Sequence, residues 1–201
     1  MIKIVVGCNV DLEFLDECKN NSNLTTYAFE PNQEITKDIE KLPTNYHLIN
    51  KAVSQKNGEV DFYIHSDKYS SSVLEWGNAP QWGTIEKTKV ESIRLDSFCK
   101  EKNIESIDYI HIDAQGADLD VLKSMGNYIS VVSEGVCESL SSNSVFEIYK
   151  NQPSFDEITN FLISNGFEFY YEQNLDTRFR ANEINIHFKK SDNPREITKM
   201  I

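Results

Sequence analysis

The chain has 201 residues, 39% of them hydrophobic and 26% charged, with a formal net charge of −12. That length carries one α/β domain with a sizeable core rather than two generous ones, and the composition is that of a globular chain. The acidity argues against a phosphate polymer as partner, no apolar run approaches the ~18–20 residues of a membrane span, and the opening MIKIVVG is too short for the apolar region of a signal peptide.

Taken in chain order, Ile2–Val6 reads as a short buried strand, which Gly7-Cys8-Asn9 turns into a helix over 11–19. Thr25–Phe29 is a β-branched and aromatic strand stopped by Glu30-Pro31-Asn32. Pro31 suits the opening of a helix over 33–41, and 46–50 is the third strand. A further strand over 60–64 follows the turn pair Asn57-Gly58, and a long polar and aromatic loop occupies 66–83. Residues 88–95 read as extended, 96–102 as a short helix, and Ile107–Ile112 as a buried strand leading through Gly116-Ala117 into a helix with Leu119, Val121 and Leu122 on its apolar face. Another buried strand is expected over 129–133, a helix over 154–165 ended by Gly166, and a closing antiparallel pair over 167–172 and 183–188. Residues 1–190 form one domain on this reading, and 191–201 a loose polar tail. Strand and helix alternate at the spacing of a mostly parallel sheet with helices on both faces.

The four cysteines, Cys8, Cys18, Cys99 and Cys137, are widely spaced with no C-x-x-C pair. They suit reduced thiols in a cytoplasm better than a disulfide framework or a zinc site.

Two strand tips stand out. Gly7 ends the first strand, where a missing Cβ lets a ligand approach the backbone, and Glu30 ends the second. A carboxylate there can accept two hydrogen bonds from the cis-diol of a nucleoside ribose. The full G-x-G-x-x-G is absent, since Gly7 is followed by Cys8, Asn9, Val10 and Asp11, so a pyrophosphate cradle is not expected. An adenosine ligand without a diphosphate fits, and S-adenosylmethionine is the common one; the plainer alternative is a Glu-Pro turn with no ligand. Asp113 ends the Ile107–Ile112 strand, and Glu134 follows the strand expected over 129–133. As oxygen donors at neighbouring tips these two could hold Mg²⁺ or Ca²⁺, or be two separate polar strand ends.

The loop over 66–83 carries Tyr69, Ser70, Ser71, Ser72, Trp76 and Trp82, which suit a lid or an acceptor wall, or aromatic pins that fasten the loop. Phe146, Tyr149, Tyr170 and Tyr171 read as core or partner surface, and Lys37, Lys189 and Lys190 as solvated charge.

The order VVGCN, AFEPN, NKAVSQKNGEVDFYI, SSSVL, VESIRLDSF, IDYIHIDAQGADLDVLKSMG and LISNGFEF resembles the FkbM-type S-adenosylmethionine-dependent methyltransferases, over residues 5–188. The resemblance implies a Rossmann-like methyltransferase fold, an α/β architecture of seven mostly parallel strands with the last inserted antiparallel. It implies methyl transfer to an oxygen, often of a sugar or natural product. By the same resemblance Gly7, Cys8 and Asn9 line the methionine part of the cofactor, Glu30 holds the ribose, and Pro31 and Asn32 shape the adenosine side. Ala52 and Val53 lie against the adenine, and Asp113 and Gln115 face the sulfonium and the acceptor. Asp113 or His111 is the candidate base.

The chain departs from the family pattern at four places: Val5 where an acid is usual, Asp11 where a second Gly is expected, Gln115 where Glu is frequent, and His111 where Lys is. The first removes a contact to the cofactor's amino end, for which Asp11 is a possible substitute. The expected partner is a small-molecule or glycan acceptor, with a homo-oligomer possible. The rivals are a non-catalytic cofactor-binding domain and a nicotinamide-dependent oxidoreductase, the latter lacking its glycine fingerprint.

Overall fold

The computed structural model of the chain describes all residues except 40, 80–82, 142, 143, 145, 177–180 and 199–201. In order, the elements are β1 (Ile2–Val6), α1 (Leu15–Asn20), β2 (Thr25–Phe29), α2 (Gln33–Thr36), β3 (Tyr46–Ile49), β4 (Ala52–Val53), β5 (Gly58–His65) and β6 (Thr84–Ile93). They continue with α3 (Leu95–Lys102), β7 (Ile107–Ile112), α4 (Asp118–Ser124), β8 (Val132–Leu140), α5 (Phe155–Ser164), β9 (Phe167–Asp176) and β10 (Ala181–Lys190). A seven-stranded sheet runs β3-β2-β1-β7-β8-β10-β9, parallel from β3 to β8, with β10 inserted antiparallel between β8 and β9. A second, three-stranded sheet is ordered β4-β6-β5.

Alternation along β1 decides what each face of the main sheet buries. Ile4 and Val6 join Phe29, Ile110 and Ile112 in the large core, which α3, α4 and α5 cover with Leu95, Leu122 and Leu162. Val5 and Ala28 point the other way, into a smaller core with Cys18 of α1. All four cysteines are free and buried. α5 begins with a capping box, Ser154 and Glu157 each satisfying the other's backbone N–H, and ends before Gly166 at φ 83°. Lys190, expected as solvated charge, instead donates to the Asn165 carbonyl at 2.7 Å and lies over the Phe167 ring.

Several boundaries differ from expectation. α1 starts at Leu15 because Asn9, Leu12 and Phe14 all take positive φ, which breaks the first turn of the expected helix. α2 is only four residues long. Ile129 is buried in a 3-10 turn over Gly126–Val131, and the strand expected over 129–133 is β8, which begins at Val132 and runs to Leu140. Polar residues such as Glu134 and Glu138 sit within β8 and break its apolar signature. The tail is tied to β9: Phe169 N–H donates to the Arg195 carbonyl at 3.0 Å, Ile197 N–H to the Phe169 carbonyl at 2.7 Å, and Ser191 Oγ to Glu168 Oε2 at 3.1 Å.

This topology brings the C-terminal ends of β1, β2 and β7 to one edge, where Gly7, Glu30 and Asp113 follow directly. β4 and the segment after β5 come over the same edge from the second sheet.

Candidate active site

The crevice is built on Gly7. At φ +79° it turns the chain off β1, and its N–H and that of Cys8 both donate to the Phe29 carbonyl, at 2.9 and 3.1 Å. A Cβ here would stand 1.8 Å from the Asp113 carbonyl oxygen. The bare position therefore serves first to let the tips of β1 and β7 meet, and is not space held open for a ligand.

Glu30 is nearly buried, at 7% exposure, and its carboxylate is held from both sides. Asn32 N–H donates to Oε1 at 2.8 Å and Asn9 N–H to Oε2 at 3.1 Å. Burial pushes its carboxyl above the ordinary range, against the pull of those two amides. The group lines a cleft of about 590 Å³, counted with the solvent at its mouth. Phe29, Ile35, Ala52, Val53 and Phe62 give that cleft an apolar side, while Asn9, Asp113 and Gln115 give it a polar end. Tyr69, Ser71 and Ser72 of the loop after β5 form the facing wall.

At the polar end Gln115 takes φ 51° and turns its amide back, so that Nε2 donates to Asp113 Oδ1 at 2.6 Å. Its Oε1 accepts from the Tyr149 hydroxyl, which also donates to the Ser70 carbonyl at 2.9 Å. The Tyr149 ring fills the space over Gly116, where a Cβ would stand 2.6 Å from it. Ser72 Oγ donates to the Gln115 carbonyl at 2.8 Å. One tyrosine thus joins the facing wall to the tip of β7. Sequence reasoning left Tyr149 as core or partner surface; it is core, and also part of this network.

Of the candidate residues, Gly7, Asn9, Glu30, Pro31, Ala52, Val53, Asp113 and Gln115 share the cleft. Four do not. Cys8 is fully buried in the smaller core. Asn32 caps α2, accepting from Glu34 N–H at 3.2 Å, and its role at the cleft is through its own backbone N–H to Glu30. His111 lies within β7, on the face toward the turn before α1. Glu134 pairs with Tyr109, not with the tip of β7, because β8 starts three residues later than expected. The alternative of an Asp113–Glu134 cation pair is thereby corrected: the β8 residue level with Asp113 is Glu138. Among the described residues no group of three or more His, Cys, Asp or Glu is placed to hold a metal ion. Trp76 is buried and pins its loop by donating to the Ala79 carbonyl at 3.0 Å, whereas Trp82 lies outside the described residues.

The turn before α1 contributes Glu13, which sequence reasoning passed over. Its Oε1 lies 3.7 Å from His111 Nδ1, and its Oε2 is buried with no hydrogen-bond partner among the described residues. Burial, with Asp11 and Asp113 adding repulsion, pushes its carboxyl up from 4.5 to about 7. The folded chain then binds this proton more tightly than the unfolded chain, so the associated stability is present at low pH and lost as pH rises from 4.5 toward 7. Glu13→Gln is expected to flatten the stability–pH curve across that window by on the order of 1–2 kcal/mol, the side chain being partly solvated. Urea melts of both proteins at about pH 5 and about pH 7.5 test this; parallel pH dependences would contradict it.

Residues 7–169 match the family model described as the methyltransferase FkbM domain. The chain is 34% identical over 137 residues to the 2-O-methyltransferase NoeI of Sinorhizobium fredii, a match covering 58% of this chain and 54% of that protein. It therefore spans about half the length of that curated relative. Among solved structures, TrmK of M. capricolum, in complex with the natural cofactor product S-adenosyl-homocysteine, matches with a TM-score of 0.52 at 15% identity, over 99% of this chain and 66% of that one. The StiE O-MT matches with a TM-score of 0.52 at 8% identity, over 96% of this chain and 69% of that one. At such identities these structures speak for the fold, which is Rossmann-like. Among the described residues no helix is long and apolar enough to cross a membrane.

Proposed function

This chain belongs to the FkbM methyltransferase family, and from that premise we propose that it moves the methyl group of S-adenosylmethionine onto a hydroxyl of a sugar, glycan or other small metabolite. The observation that carries the reading is the Glu30 carboxylate, held by two backbone amides at the tip of β2 and lining the cleft beside the Gly7 turn. Its remaining lone pairs suit the two hydroxyls of a ribose, and Ala52, Val53 and Ile35 offer an apolar flank for an adenine. Asn9 and Gly7 would border the methionine part. Asp113, at the other end, supplies negative charge where a sulfonium would lie.

When bound, S-adenosylmethionine supplies a methyl carbon that is already electrophilic, so the protein's part is to align the acceptor oxygen with the carbon–sulfur bond. The loop carrying Tyr69, Ser71 and Ser72 would close over the cofactor cleft and exclude water. The four free thiols suit a cytoplasmic setting.

A second reading, a cofactor-binding domain without turnover, is favoured by two departures. Val5 is buried and offers no carboxylate, and the Gln115 side chain is engaged by Asp113 and Tyr149. A panel of methyl glycosides and short oligosaccharides separates the two readings. Acceptor-dependent formation of S-adenosylhomocysteine supports transfer, whereas tight cofactor binding with no product across the panel supports the binding module.

A further inference from the structure

Beside the cleft lies a smaller notch, behind Gly116 and Tyr149, whose other walls include Glu138, Ser139, Gln152 and Glu183. β7 and β8 run parallel with Ile112 level with Cys137, so the next residues on each strand, Asp113 and Glu138, stand side by side on the same face of the sheet. β10 sets Asn185 on the far side of Glu138. The backbone at this point is fixed, because Glu138 N–H donates to Asp118 Oδ1 at 3.0 Å. The Glu138 side chain is half-buried and lines the notch, and none of the described residues hydrogen-bonds to its carboxyl. A half-buried carboxyl with no protein partner, beside a strand-tip crevice, keeps its acceptor positions for a molecule that enters the notch.

We propose that Glu138 is the general base of the transfer, taking the proton of an acceptor hydroxyl seated in this notch. The assignment rests on the methyltransferase reading above and adds the residue that handles the proton. As the acceptor oxygen bonds to the methyl carbon, the carbon–sulfur bond breaks and its electron pair returns to sulfur, leaving a neutral thioether. The hydroxyl proton passes to the Glu138 carboxylate and from there to water.

Other groups nearby are less suited. Asp113 is tied by the Gln115 amide. The Tyr149 hydroxyl already donates to Ser70 and Gln115, and burial raises it far above the ordinary range. His111 lies farther back within β7 and does not border the notch.

The groups facing Glu138 are Asp113 at the tip of β7, Asp118 at the start of α4, Glu183 on β10 and the uncharged Tyr149 ring. Burial first, and the repulsion of those three carboxyls second, keep Glu138 protonated to a pH well above the usual carboxylate range. A sulfonium placed nearby offsets that repulsion. Binding S-adenosylmethionine should therefore release a proton that binding the neutral S-adenosylhomocysteine does not.

Titration calorimetry in two buffers of different ionisation enthalpy, on wild type and Glu138→Gln, tests this without knowledge of the acceptor. Wild type is expected to release more proton with S-adenosylmethionine than with S-adenosylhomocysteine. Glu138→Gln should lose most of that excess while its affinity for S-adenosylhomocysteine stays within about twofold, which also shows that the variant is folded. With a glycoside that wild type methylates, Glu138→Gln should lower turnover by ~100-fold or more and remove the alkaline rise of the pH profile. An excess proton release and a turnover both unchanged in Glu138→Gln would overturn the assignment and leave the methyltransferase reading standing. Wild type binding neither ligand would defeat that reading and this one together.

Discussion

Gly7→Ala is expected to lower the unfolding midpoint by roughly 4–20 °C and to abolish cofactor binding at temperatures where the protein stays folded. Two costs combine. An alanine at φ +79° sits in the left-handed region, at about 1–2 kcal/mol. Its methyl would also stand 1.8 Å from the Asp113 carbonyl oxygen, backbone that cannot swing aside as a side chain does. Forcing those strand tips apart adds about 1–3 kcal/mol and loosens the Asp113 N–H bond to the Val6 carbonyl, 2.9 Å in the native chain. Thermal melts followed by circular dichroism measure the first effect and calorimetry the second. A midpoint within a degree or so of wild type would contradict the close approach of β1 to β7.

Glu30→Ala is expected to weaken S-adenosylmethionine by about 1.5–3 kcal/mol, roughly 10- to 150-fold in Kd. The carboxylate does two things at once. It fixes the Asn9 and Asn32 amides, hence the turn after β1 and the start of α2, and it presents its remaining lone pairs to the cleft. Alanine removes both, so the variant needs a companion. Glu30→Gln keeps the volume and one acceptor oxygen but replaces the other with an amide NH₂ facing a backbone N–H. Its affinity should fall between those of wild type and Glu30→Ala. Equal affinity in all three proteins would remove Glu30 from the ribose.

Much of this site was legible in the chain itself, for a physical reason. β1 and β2 pack on both faces of the parallel sheet and β7 buries Ile107, Ile110 and Ile112 in the large core, so each reads as an apolar-rich run that stops where solvent or a ligand begins. Gly7, Glu30 and Asp113 follow at those stops. β8 is different, since one of its faces tolerates Glu134 and Glu138. Its apolar signature lay instead upstream, in the 3-10 turn that holds Ile129. Placing the strand there put Glu134 rather than Glu138 beside Asp113 and hid the carboxyl that neighbours it. The second sheet was hidden for another reason. β5 and β6 pair across the long intervening loop, and β4 is only two residues, so no local pattern announces the partnership. Tyr149 was likewise invisible, because its contacts with Ser70 and Gln115 join three segments far apart in sequence.

The central claim is that an adenosyl group lies across the tips of β1 and β2 with its ribose on Glu30. A crystal structure of the chain with S-adenosylhomocysteine tests it most directly. The account predicts both ribose hydroxyls within hydrogen-bond distance of the Glu30 carboxylate, the adenine against Ala52 and Val53, and the thioether sulfur toward Asp113. A nucleoside bound elsewhere, with the Glu30 oxygens still held only by Asn9 and Asn32, would contradict it.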